Sequence, residues 1–379
     1  MAGTTKRFDL VDDITQIKTQ LYEAIPITGS IVSGTYAAAD GTGTDSNIKN
    51  YTHGLFQSAY DYPYASSSAN QIFDTTVGYS TYSVLSGATG AVIESSKNNI
   101  YNEMAQFLVG FDNTGSIERF DSDGDLTGGP KFDEIIVLNL TRLLTKDGLQ
   151  KGTFELEMGV SGSDAGYLAP FTETIKIKDL NGTSSFRVDS PKGEFGILYA
   201  NNSQGTPLNG VGMTATAVDA PCGLLYYQAG VAVLSASMFM PTANGGLMSG
   251  SSNNMIWNSG SAYSWDIHET LVSSSISGAC DGFRRRFYNL AFNNTTILNS
   301  TNYKCLIRSR DFNYSSNPTY LDGSKIRVKG DDANNLPKTY FTTVGLYNAQ
   351  DQLLAVAKLS KAIANSPTED LLIKVRLDY

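Results

Sequence analysis

The sequence predicts a mainly β protein: antiparallel, sandwich-like domains preceded by a short N-terminal helical arm. Three observations predict it. Residues 340–379 alternate with period two. Tyr340, Thr342, Val344 and Leu346 interleave with Phe341, Thr343 and Gly345, and the chain ends in LLIKVRLDY. Such alternation, rich in β-branched and aromatic residues, is the signature of paired strands. Charged residues make up 17% of the 379 residues, against about 25% in ordinary soluble domains. The 36 glycines and 21 tyrosines, with abundant Ser, Thr and Asn, suit strands joined by many turns better than helices. Finally, Asp147-Gly148, Asn181-Gly182 and Asn209-Gly210 punctuate alternating runs, and such pairs tolerate the positive φ of tight turns.

The elements follow in order. Residues 8–23 are the best helix candidate. Leu10, Val11, Ile14, Ile17 and Leu21 recur at helical spacing, with Asp12 and Asp13 near the positive end. The stripe of Leu10, Ile14, Ile17 and Leu21 suits either a helix covering the local core or an arm docked on a neighbouring subunit. This gives an N-terminal arm over 1–31 and a β-rich body over 32–379. Residues 33–70, rich in Gly, Ser, Thr, Ala and Tyr, read as loops and short strands, and 70–94 as a strand pair. A weaker helix is expected over 95–108, from Ile100, Met104 and Leu108. Strands are then expected at 135–144, 152–160, 172–178, 184–189, 195–200, 223–227 and 231–239. The uncharged run 222–240, between Pro221 and Pro241, is marginal in length for a bilayer span and interrupted by Gln228 and serines, so it reads as two buried strands. The Gly/Ser/Asn-rich stretch 241–264 is the candidate loop or boundary between two subdomains. In the closing segment, residues 342–359 form a hairpin, and 371–379 is expected to pair with it as a covered strand. One face of that strand is apolar (Leu371, Ile373, Val375, Leu377) and the other largely charged.

Candidate chemistry is sparse. Asp121-Ser-Asp123-Gly-Asp125 resembles the start of a calcium loop. An EF-hand needs Gly at the sixth position and Glu at the twelfth, where this chain has Leu126 and Phe132. A calcium turn of another kind and a solvated acidic turn remain. Zinc is disfavoured by only two histidines and no C-x-x-C pair, so no cofactor is expected. His268 lies near Asp266 and Glu269, but no spacing aligns them as a triad. Acidic pairs such as Asp331–Asp332 would serve glycoside cleavage only across a cleft. Arg284, Arg285 and Arg286 sit between Phe283 and Phe287. That pattern suits carboxylate pairing at a subunit interface or internally, and less well nucleic acid, because the chain is net −9. Cys222, Cys280 and Cys305 cannot all pair with one another and read as reduced thiols. The start MAGTTKRFDL has no apolar signal segment, which fits synthesis in a cytoplasm.

One resemblance bears on function. TTVGLYNAQDQLLAVAKL with the closing IKVRLDY, IIVLNLTRLLTKDGLQKGTFELEMGV and GLLYYQAGVAVLS are similar to structural proteins of tailed bacteriophages, marine and T4-like ones especially. These strings are β-core and contain no functional motif, so no catalytic residue is transferred. The resemblance implies a multi-copy virion component of tail, baseplate or neck. Its partners would be copies of itself and other virion proteins, with no nucleic acid and no membrane span. The alternatives are a fibre that contacts a host surface receptor through the loops at 33–70 and 241–264, and a tail-associated glycan hydrolase.

Overall fold

The computed structural model describes residues 7–27, 47–87, 94–125, 128–144, 147–159, 174–202, 219–240, 267–312, 321–322, 325–326 and 338–379. In chain order the elements are β1 (Ile14–Ile27), β2 (Ile48–Asn50), β3 (Gln57–Tyr60), β4 (Gln71–Tyr79), α1 (Glu94–Leu108), β5 (Glu134–Asn139), β6 (Gly148–Leu149) and β7 (Glu155–Gly159). There follow β8 (Thr174–Lys178), β9 (Arg187–Ser190), β10 (Gly193–Asn202), β11 (Asp219–Tyr226), β12 (Val231–Ser235), α2 (Ile267–Ser273), α3 (Ile276–Arg286) and β13 (Phe287–Ile307). The chain closes with β14 (Leu321–Asp322), β15 (Lys325–Ile326), β16 (Thr339–Tyr347), β17 (Leu353–Asn365) and β18 (Leu371–Asp378). The protein is mainly β, and a 14-stranded antiparallel sheet dominates it. The chain divides into two compact units, residues 21–296 and residues 1–20 with 297–379. The crossings fall within β1 and β13. The stretch 241–264, expected as a boundary, lies outside the described residues.

In the larger unit the strands run β13-β7-β8-β10-β11-β12-β5-β4-β3-β2. The central strands are buried on both faces because successive positions are apolar, as from Val231 to Leu234 of β12. Ile136, Leu138, Ala232 and Leu234 face one core, shared with Leu271 of α2 and Phe283 of α3. Ile135, Val137, Val231 and Val233 face a second core under Tyr101, Ala105 and Leu108 of α1. Helices thus cover both faces. The sheet also curls: Phe73 of β4 and Phe287 of β13, far apart in strand order, stack at 5.2 Å between ring centroids. Accumulated strand twist brings the two ends round onto one core. The Cys280 thiol of α3 donates to the Thr75 carbonyl of β4 at 3.3 Å, so the helix sits against this curled wall. The uncharged run forms β11 and β12 as expected, turning at Gly230 with φ of 65°. Among the described residues no helix is long and apolar enough to cross a membrane.

In the smaller unit, β18 pairs antiparallel with β13, from Ser300↔Asp378 to Ile307↔Leu371. The β16–β17 hairpin packs face to face on this pair through Leu346, Ile373, Val375 and Ile307, with Phe341, Val344 and Leu359 around them. Two expectations are corrected here. The closing strand alternates as predicted but pairs with β13, not with the hairpin. Stacking buries an apolar face of each, which edge pairing would leave exposed. The helix expected over 8–23 is a single turn followed by β1. The Asp13 N–H donates to the Asp9 carbonyl at 3.0 Å and the Asp9 carboxylate accepts from Val11 N at 2.9 Å, after which the chain extends. Ile14, Thr15, Ile17 and Thr19 are β-branched and lose rotamer freedom in a helix, whereas a strand beside β13 gains a ladder. Period two then splits the predicted stripe. Ile14 faces one side, and Ile17 and Leu21 face the other, where they are half exposed.

Candidate functional site

The acidic triplet is built by a hairpin loop. The Phe132 N–H donates to the Phe120 carbonyl at 2.9 Å, and the Ser122 N–H to the Pro130 carbonyl at 3.1 Å. This closure places one carboxylate oxygen from each of Asp121, Asp123 and Asp125 within 4.8 Å of one another. Asp121 is buried, and Asp123 and Asp125 are exposed. The Lys131 ammonium lies 3.2 Å from Asp121 and 3.6 Å from Glu118. Three carboxylates supply about half of the six to eight oxygens that calcium takes, and Lys131 already neutralises the buried one. The geometry therefore suits an ion-paired turn at least as well as a cation site.

The basic cluster is internal at the two positions whose side chains are described. Arg284 and Arg286 are among the most buried side chains, at 2% and 0% exposure. Arg284 pairs with Asp281 one helical turn earlier at 2.9 Å, and Arg286 donates to the Gly159 carbonyl at 3.3 Å. Of the two roles expected for them, subunit interface and internal pairing, this burial supports the internal one. The Arg285 side chain lies outside the described residues. His268 opens α2 and is partly buried. Asp266 and the Glu269 side chain, the partners a triad would need, lie outside the described residues.

Other buried polar groups escaped the sequence reading. Asp179 is 2% exposed and accepts hydrogen bonds from Gly152 N at 2.7 Å and Tyr227 Oη at 2.8 Å. Burial pushes its carboxyl pKa up, against the pull of those hydrogen bonds. A Cβ on Gly182 would sit 2.1 Å from the same carboxylate, so the Asn181-Gly182 turn closes directly over it. On α1, fully buried Lys97 donates to the Ser274 carbonyl at 2.8 Å and to that of Leu271, capping the end of α2. These contacts tie loops and helices together.

The surface is more informative. On the outer face of the β16–β17 hairpin, Tyr347, Leu353, Leu354 and Val356 are each at least half exposed. A second cluster lies at the β2–β3 edge. Tyr51 stacks on His53 at 5.2 Å, and Phe56 lies 4.7 Å from Tyr51. Phe107, Phe111 and Val188 are also exposed, and the Lys192 ammonium lies 3.9 Å over the Phe107 ring. No family model matches this chain, and neither curated proteins nor solved structures yield a match.

Proposed function

We propose that the chain is a multi-copy structural component of a tailed-phage virion, in the tail, baseplate or neck, and that it acts by protein–protein assembly without catalysis. The observation that carries this reading is the outer face of the β16–β17 hairpin. It leaves Tyr347, Leu353, Leu354 and Val356 exposed within the stretch whose sequence resembles phage structural proteins. Contiguous exposed apolar surface marks an interaction site, because water charges for it until a partner covers it. Aromatic residues are enriched and charges depleted at the core of such interfaces. The buried Cys222 and Cys280 thiols support synthesis in a reducing compartment. Gold-labelled antibody against the chain, imaged on particles of the source phage, should decorate the tail or neck at several copies per virion. Particles without label would overturn the reading. Incubation with host envelope polysaccharide or peptidoglycan should release no fragments; release abolished by an Asp or Glu substitution would instead favour a hydrolase.

A second reading, a fibre or receptor-binding protein, is favoured by the ring cluster of Tyr51, His53 and Phe56, with Tyr62 and Tyr64 exposed nearby in sequence. Aromatic side chains supply rigid contact area to such binding surfaces. Binding to host envelope glycan, lost on Tyr62→Ala with Tyr64→Ala, is its test.

A further inference from the structure

Lys131 holds its amine out of water between two carboxylates. The Nζ lies 3.2 Å from Asp121 Oδ2 and 3.6 Å from Glu118 Oε1. Side-chain exposure is 9% for Lys131, 0% for Asp121 and 20% for Glu118. The backbone sets this geometry. Asp121 and Lys131 form an antiparallel bridge, flanked by the bonds from Phe132 N–H to the Phe120 carbonyl and from Ser122 N–H to the Pro130 carbonyl. That pattern makes them a non-hydrogen-bonded pair, in which opposite Cα atoms are only about 4.5 Å apart and side chains are closest. The adjoining pair, Phe120 and Phe132, packs into the core under α1, where Tyr101 Oη donates to the Phe132 carbonyl at 2.8 Å. The hairpin is therefore anchored, and the amine and carboxylate cannot easily part.

The contact is not a well-formed hydrogen-bonded ion pair. Its 3.2 Å exceeds the about 2.7–2.9 Å of a charge-assisted bond between an ammonium and a carboxylate. Among the described residues Lys131 Nζ makes no hydrogen bond of ordinary geometry. The nitrogen is thus close to the carboxyl group without being seated on the in-plane lone pairs of its oxygens.

We propose that Lys131 and Asp121 join covalently, as an amide between Nζ and Cγ, with Glu118 as the proton carrier. Burial penalises separated charges, which favours passing a proton from Lys131 Nζ to Asp121 and leaves a neutral amine against a neutral carboxyl. The Nζ lone pair adds to Cγ. Glu118 takes a proton from the nitrogen as the N–C bond forms and returns it to the departing hydroxyl, which leaves as water. One N–C bond forms, one C–O bond breaks, and nothing is oxidised or reduced. Holding the reacting groups at about 3–3.5 Å makes the condensation intramolecular, and exclusion of water opposes its reversal. The product closes the loop and restricts the unfolded chain as a disulfide does, in a reducing compartment where a disulfide would not persist. It holds whether or not the chain is a virion component.

The test is the intact mass of the purified full chain under denaturing conditions. The parent chain should be lighter than its sequence by one water. Lys131→Arg, which keeps the charge but has no amine able to close, should have its full sequence mass, and so should Asp121→Ala. Glu118→Gln should close about 10²–10⁴-fold more slowly in a time course from synthesis. Cutting the unfolded parent chain at Asp125 should leave two fragments joined, with the link located at Lys131 and Asp121 by fragmentation. A parent chain of full mass overturns the proposal, whatever the variants do. So does a link from Lys131 to Glu118, or a water loss that persists in Lys131→Arg and is reversed by mild alkali, which would be a cyclic imide at Asp123-Gly124. An unchanged rate in Glu118→Gln overturns the role given to that carboxylate.

Discussion

Gly78 is where the packing of α1 is most exposed to test. A Cβ added there would lie 2.8 Å from the Lys97 carbonyl oxygen, 2.9 Å from Tyr101 N and 3.3 Å from Tyr101 Cα. All three are backbone atoms of α1, so none can swing aside as a side chain would. Gly78→Ala must push the helix off β4. That disturbs Tyr101, Ala105 and Leu108, which α1 packs into the core beside Ile135 and Val137. Overpacking costs about 1–3 kcal/mol, and a rigid backbone contact belongs in the upper half of that range, about 2–3 kcal/mol. With a urea slope of about 3 kcal/mol per molar, the unfolding midpoint should fall by roughly 0.7–1 M. Asn99→Ala, at an exposed position of the same helix, should stay within about 0.5 kcal/mol of the parent chain. The assay is urea unfolding followed by circular dichroism. A Gly78→Ala chain with an unchanged midpoint would show that α1 does not press on β4, and the account of the second core would fail with it.

Three further outcomes are expected. Arg284→Ala removes one partner of a buried ion pair and should cost about 2–4 kcal/mol in urea unfolding, below the about 3–5 for a fully buried pair because Asp281 is partly exposed; DNA binding at physiological salt should be undetectable before and after, and a salt-dependent shift lost in the variant would reinstate a nucleic-acid role. Ile373→Ala should cost about 2–4 kcal/mol, and deletion of 371–379 should abolish soluble expression, since Ile373 and Val375 are both under 10% exposed; a soluble deletion with unchanged melting would make β18 a free tail. For Asp179, burial raises the folded-state pKa above the unfolded value, so its contribution is fully present below the ordinary carboxylate range and is lost as pH rises through the raised value; the stability advantage of the parent chain over Asp179→Asn should therefore shrink from pH 3 towards neutrality, and an advantage that grows with pH would refute the assignment.

Strands were legible where local pattern and burial agree. The alternation at 371–379 and the apolar runs of β5 and β12 announce themselves because each position reports its own face. Partners were not legible, because strand pairing is non-local: nothing within LLIKVRLDY says that its neighbour is β13 and not the closer hairpin. The N-terminal error came from a spacing that satisfies two periods. Ile14, Ile17 and Leu21 fit a helix, and only the β-branched residues between them argue for a strand. The helices α2 and α3 were readable in principle. Ser275 caps α3 by accepting from Gly278 N at 3.1 Å, and Ile276, Ala279, Cys280 and Phe283 recur at helical spacing. The arginines at its end are expected at a subunit interface or in internal pairs, and Arg284 and Arg286 are buried, Arg284 against Asp281. Of the candidate sites, the acidic triplet was legible as a cluster, but Lys131 beside it was not, because the loop closure that brings them together is tertiary.

The hairpin shows why an interaction face is harder to read than a core face. Tyr347, Leu353 and Val356 are as apolar as Phe341, Val344 and Leu359, yet only the second set is covered by its own chain. A two-stranded ribbon with apolar residues on both faces is an aggregation hazard if its edges accept further strands. Its edges are managed. Register shifts between Phe341 and Thr343 and between Leu346 and Tyr347 interrupt the ladder and raise the local twist, and β17 has Lys358 and Lys361 along its length. Its outer face is not managed in that way, because Gly345 lets Tyr347 and Leu353 close into one smooth patch. Protection of the edges with exposure of the face opposes open-ended strand addition and leaves a partner one way to approach. That is the pattern expected of a surface shaped for a specific, face-on contact.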